Sequence, residues 1–287
     1  MRTEGGHSLR RATKTGLTTA IALCVIGAGT QAQAEQTYRF VPVDAAICKK
    51  RTEMGDKSGG TTKLAKNKKH KYNAGDGNDK LIGGNKDDIL NGGRGDDRVF
   101  GGGGNDVVCG GVGNDKVYGD EGNDRVFGEE DNDFLDGGEG NDKLNGQAGL
   151  DRLVGYLKSK GEVTDGGKDL LDGSFEADVL IAGGFDTLIG GAENDELSSR
   201  TPSEGVAKMD GGIGNDNITG SEANDKLLFG DIGEDNIRGG DGDDELDGGG
   251  SDDSLSGGGG SDVCDGGDGK DTADDSCERK LSIPRAI

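Results

Sequence analysis

Tryptophan is absent from the 287 residues, Phe, Tyr and Trp together make up only 4%, and there are just three prolines and two histidines. Without large interlocking side chains the chain cannot build the core of an ordinary enzyme domain. The two histidines, His7 and His70, exclude an H-E-x-x-H zinc site. No G-x-S-x-G elbow occurs, and the cysteine spacing suits neither zinc nor a Cys-His pair. Basic residues are also in deficit, 33 against 56 acids, for a formal charge of -23. A dominant negative field argues against nucleic acid as a partner and favours cations. Such a charge with so little hydrophobicity normally belongs to a disordered chain, so folding requires that the carboxylates be neutralised.

What is abundant is glycine, 59 residues, and aspartate at fixed intervals. Nine consecutive nonapeptides run from Ala74 to Val154 without insertion, for example GGVGNDKVY and GDEGNDRVF. Position six is always Asp. Position eight is always aliphatic, from Leu81 and Leu90 through to Leu144 and Leu153. A repeat of this kind signals a solenoid. Residues 155 to 163 carry neither marker but keep the nine-residue phase, and Asp169, Leu171, Asp178 and Leu180 follow in frame. They form either a degenerate coil that keeps the stack or a linker between two rolls. A shortened unit at Asp186 and an irregular stretch from Ser199 to Asp210, containing Pro202, come next. Regular units resume at residue 211. One extra residue, placed at Phe229, precedes an unbroken run from Gly230 to Asp274.

Glycine at positions one, two and four suits turns with positive φ. The triplet around position eight suits a short strand with one side chain inward and two outward. Two nonapeptides then complete one coil of an all-β, right-handed parallel β-roll, possible in two blocks, with equivalent positions stacked at about 4.7–4.9 Å. Aspartates two units apart fall on one edge: Asp79, Asp97, Asp115, Asp133 and Asp151, with Asp88, Asp106, Asp124 and Asp142 opposite. The later units add Asp178, Asp195, Asp216, Asp225, Asp235, Asp244, Asp253, Asp262 and Asp271. Without a cation these ladders repel. Calcium takes six to eight oxygens in flexible geometry, whereas magnesium demands a tighter octahedron. If each adjacent pair holds one ion, the first block takes roughly seven.

These units resemble G-G-x-G-x-D-x-U-x, the RTX, or hemolysin-type, calcium-binding nonapeptide. The resemblance is strict over residues 74 to 154 and looser over 164 to 274. It implies a β-roll that is unfolded without calcium and folds in extracellular calcium, Asp at position six as side-chain ligand, and turn carbonyls as backbone ligands. Lys86 departs from it at position four, Asp120 and Glu129 at position two, and Leu150 at position five. Those turns are weaker candidates.

The N-terminus reads as a secretory signal peptide over residues 1–34. Arg2, Arg10, Arg11 and Lys14 form its positive region, Leu17 to Ile26 its apolar stretch, and Ala32-Gln33-Ala34 its cleavage site. The apolar run is too short for a membrane span. Four cysteines remain after cleavage. Of the three connectivities, Cys264 with Cys277 and Cys48 with Cys109 are expected, the first clamping a C-terminal cap at 275–287. The segment 35–73 is basic, with Lys63, Lys66, Lys68, Lys69 and Lys71 clustered, and reads as a solvated tail or a docking element for anionic polymer. The expectation is a secreted calcium-binding repeat protein with no enzymatic role, serving a structural, adhesive or calcium-sequestering purpose. Cell-envelope polymers or self-association are candidate partners. The alternative is an accessory repeat region of a secreted hydrolase or hemolysin-like toxin.

Overall fold

The computed structural model of the chain describes residues 48, 53–54, 59–155, 167–199 and 205–281. The expected signal peptide, Pro202 and most of residues 35–58 and 282–287 lie outside them. Among the described residues there is no helix, so none is long and apolar enough to cross a membrane. Every strand pairing is parallel. Strands alternate between a 13-stranded and a 12-stranded sheet, so each coil contributes one strand to each. The result is a parallel β-solenoid.

In the regular coils the strands are longer than the expected triplets. Lys116–Glu121 is typical: positions seven to nine of one unit continue into positions one to three of the next. Gly111, at position two, has a φ of 126°, and Gly113, at position four, a φ of 127°. These two positions require the left-handed region, which bends the strand and then turns it. Position one does not: no glycine there has positive φ. Its glycine serves a different purpose, taken up below.

Position eight points inward throughout. Leu90, Val108, Val126, Leu144 and Leu171 pair in register along one sheet, and Leu81, Val99, Val117, Leu135 and Leu153 along the other. All are 0–1% exposed and belong to one continuous core. Each such burial contributes about 1.5–3 kcal/mol, and small aliphatics suffice because the two sheets meet across a single layer. Positions seven and nine face out. On one outer face Phe100 stacks on Tyr118 at 4.8 Å with Lys80 over the Phe100 ring.

The two regular blocks belong to one stack. Leu144 pairs with Leu171 and Leu153 with Leu180, steps of 27 residues where Val126 to Leu144 takes the 18 of two nonapeptides. The weak unit, apart from Gly155, lies outside the described residues; the described strands on either side of it pair directly. These steps are nine residues longer than those of the regular coils, and the chain between Gly155 and Gly167 lies outside the described set. The extra residue near 229 is also relocated. Phe229 pairs in register with Asp210 and Asp247, whereas Leu227 takes φ 67° and is 40% exposed while Leu228 is buried. The insertion is thus a bulge before Leu228.

Both ends of the roll extend past their expected limits. Thr61–Lys63 pairs with Lys80–Ile82, and Lys71–Asp76 with Ile89–Arg94, so residues 59–73 form a coil rather than a tail. At the other end Arg279–Leu281 pairs with Val263–Asp265. The disulfides are Cys48–Cys109 and Cys264–Cys277, with Cα separations of 6.4 and 5.9 Å. Cys264 occupies an inward position, and Cys109 lies on an outer face but is buried with Cys48 and Phe127.

Candidate metal centre

Each position-six aspartate is fixed by its neighbours along the stack. The N–H of Asp97 donates to Oδ1 of Asp115 at 2.7 Å, and the N–H of Asp115 donates to Oδ1 of Asp133 at 2.7 Å. The same bond recurs along the whole edge from Asp79 to Asp271, through Asp151, Asp178, Asp195, Asp216, Asp235 and Asp253. The opposite edge runs from Asp88 through Asp106, Asp124 and Asp142 to Asp169 and Asp186, then from Asp225 through Asp244 to Asp262. All eighteen expected aspartates thus fall on the two ladders. Asp169 and Asp186 join them. Their phase was visible in the sequence, but the irregular spacing around them hid their stacking partners.

One oxygen of each carboxylate is consumed by this ladder. The other, Oδ2, is buried without a hydrogen-bond partner in Asp97, Asp115, Asp133, Asp151, Asp178, Asp195, Asp216, Asp235, Asp253 and Asp271 on one edge. On the other edge the same holds for Asp106, Asp124, Asp142, Asp244 and Asp262. Buried carboxylate oxygens are costly when left unsatisfied, and such a series calls for a ligand.

The glycine at position one makes room for it. A methyl group on Gly110 would lie 2.4 Å from Oδ2 of Asp115 and 2.8 Å from the carbonyl oxygen of Gly128 in the next coil. At Gly248 the corresponding distances are 2.4 Å to Asp253 and 2.7 Å to Gly266. These distances are well below carbon–oxygen contact, so a side chain at position one would displace the carboxylate or the turn carbonyl. A buried carboxylate oxygen beside a turn carbonyl forms a hard-oxygen donor set, which fits calcium. Residues from two coils contribute, so an ion there would tie them together.

Burial makes these carboxyls weak acids in the absence of a cation. It pushes Asp115 up to about 7, Asp124 to about 8 and Asp133 to about 9, and the neighbouring ladder carboxylates add to the rise. Asp178 reaches about 9 for the same reasons. Nearby positive charge would reverse this shift.

Position five carries a second ladder that the repeat pattern did not disclose. The N–H of Asn114 donates to Oδ1 of Asp96 in the preceding coil, and that of Asn132 to Asn114. Its direction is opposite to that of the aspartate ladder. Leu150 receives the service of Asn132 but has no acceptor to pass on. The signal was the frequent Asn or Asp at position five.

The departures from the repeat are unequal in effect. Asp120 and Glu129 adopt φ of 74° and 89° and so keep the position-two bend, and Asp131, Glu176, Glu193 and Ser251 supply the positive φ of position four. Lys86 and Ala223 at position four do not. In their turns the second oxygen is occupied: the N–H of Gly84 donates to Oδ2 of Asp88 at 2.9 Å, and that of Ser221 to Oδ2 of Asp225 at 2.5 Å. In the shortened unit Gly183 donates to Oδ2 of Asp186 at 2.7 Å.

No curated protein matches the chain. A family model for the RTX calcium-binding nonapeptide repeat, a unit of four copies, matches successively over residues 73–156, 163–197 and 210–273. Those spans coincide with the coils whose aspartates form the two ladders, and the chain belongs to the RTX calcium-binding nonapeptide repeat family.

Proposed function

We propose that the chain is an extracellular module whose roll folds when calcium fills the turns of its two edges, giving a rigid acidic rod with a structural, adhesive or calcium-sequestering use. The observation that carries this reading is the series of buried Oδ2 atoms without partners. In low calcium, repulsion along the ladders keeps the chain expanded; in the medium, binding free energy becomes folding free energy. Dissociation constants of about 10⁻⁴–10⁻³ M suit an extracellular module. The two disulfides support an oxidising compartment. A binding rather than catalytic role is favoured because the coil stack accounts for the aspartates, which are the abundant reactive groups. Far-UV circular dichroism of the chain, titrated with calcium and separately with magnesium, tests the reading. A β signal should appear with calcium and only weakly with magnesium; a signal complete in chelator at neutral pH, or equal for both ions, would reject it.

A further inference from the structure

The aspartates of the two edges are not equivalent. Along the edge from Asp97 to Asp271 every position-six carboxylate keeps a buried oxygen without a partner. The other edge is broken three times. Asp88, Asp186 and Asp225 each accept two backbone N–H groups, one on each oxygen: Asp88 from His70 and Gly84, Asp186 from Asp169 and Gly183, Asp225 from Val206 and Ser221. The Ser221 hydroxyl also donates to Asp225 Oδ1 at 3.0 Å. Between Asp186 and Asp225 the coil carries Val206 and Ala207 at the corresponding place and offers no carboxylate. Among the described residues, three successive coils of this edge therefore lack an open position-six oxygen.

The cause is local. In each described turn whose aspartate keeps an open oxygen the position-two residue takes positive φ, as at Gly93 (116°), Gly111 (126°) and Gly267 (81°). Gly84, Gly183 and Ser221 stay outside that region, and in these turns their N–H falls onto Oδ2. Where Asp120, Glu129 or Asp231 accept the strained φ at position two, the oxygen stays open.

We infer that Asp88, Asp186 and Asp225 are clamps that join coils through backbone hydrogen bonds alone, so that calcium loads one edge continuously and the other in two separated runs. Asp106 to Asp142 form the first of these runs, and Asp244 with Asp262 the second. The inference rests on the calcium reading above and adds to it which turns take no ion. Two backbone donors supply the counter-dipoles that an ion would otherwise provide, and a carboxylate so satisfied gains little from surrendering one of them.

Native mass spectrometry of the full chain with calcium as the sole ligand resolves successive bound ions and tests this directly. Asp88→Asn should leave the number of ions at saturation unchanged, whereas Asp115→Asn should remove at least one. Loss of an ion from Asp88→Asn in a chain with unaltered circular dichroism would overturn the clamp. Absence of calcium from the unaltered chain would instead overturn the calcium reading itself, and the clamp with it.

Discussion

Asp133 lies between Asp115 and Asp151 on one edge, and burial, followed by the charge of Asp151, raises its carboxyl to about 9. Asp178 behaves alike, and Asp142 and Asp151 rise to about 6. In the unfolded chain these groups ionise near 4. Between those values the metal-free roll holds protons that the unfolded chain has released, so its stability falls as pH rises through the window and is highest on the acid side. Calcium requires the ionised form and expels those protons, so its affinity rises with pH over the same window. In chelator, circular dichroism should therefore report more β structure at about pH 5 than at about pH 8, and in calcium the order should reverse. Calorimetry in buffers of different ionisation enthalpy should detect proton release on binding.

Neighbouring residues respond differently. Asp115→Ala strands the N–H of Asp97 as well as removing a ligand, and should cost about 1–3 kcal/mol in the calcium-loaded state, measured by thermal unfolding. Gly110→Ala places a methyl against Asp115 Oδ2 and Gly128 O, and should destabilise by about 1–3 kcal/mol and weaken calcium binding. Aspartate at position six was legible because phase alone exposes it. The reason for glycine at position one was not, because its steric limit comes from the next coil, eighteen residues away at Gly128.

At the level of the turn and strand, the backbone tolerates strain when the stack demands it. Ser251 has a φ of 107° at position four, a conformation costly for any residue with a Cβ. Ser251→Gly should raise the stability of the loaded roll by about 0.5–1 kcal/mol, read as a shift in melting temperature, with calcium binding retained. Strand identity was plain from the aliphatic at position eight, but strand length was not, because positions one to three read as glycine turn. The adjacent Leu227 and Leu228 offered two candidates for the inward place, and only pairing with Met209 and Leu246 selects Leu228. Residues 155 to 163 kept the phase by length, so length alone did not reveal that Leu144 pairs directly with Leu171.

For the molecule as a whole, stability is a sum of neighbour interactions along one axis, so the ends are its weakest points. Glu278 Oε2 accepts the N–H of Asp262 in place of a further aspartate, and Cys264–Cys277 ties that last coil to the core across 13 residues. Cys277→Ser should cost about 3 kcal/mol, and hydrogen exchange should place the loss in the final coils, sparing the region around Cys109. Salt bridges contribute little: Lys69–Asp87 is exposed on both sides.

From Asp142 to Asp169 the ladder advances one rung over 27 residues, where Asp124 to Asp142 takes 18. Register in this molecule is set by rungs, and distance along the chain does not enter it. The interval between Gly155 and Gly167 is accordingly a natural grafting point: a peptide tag or a small domain with adjacent ends placed there should leave the lattice of coils above and below unbroken.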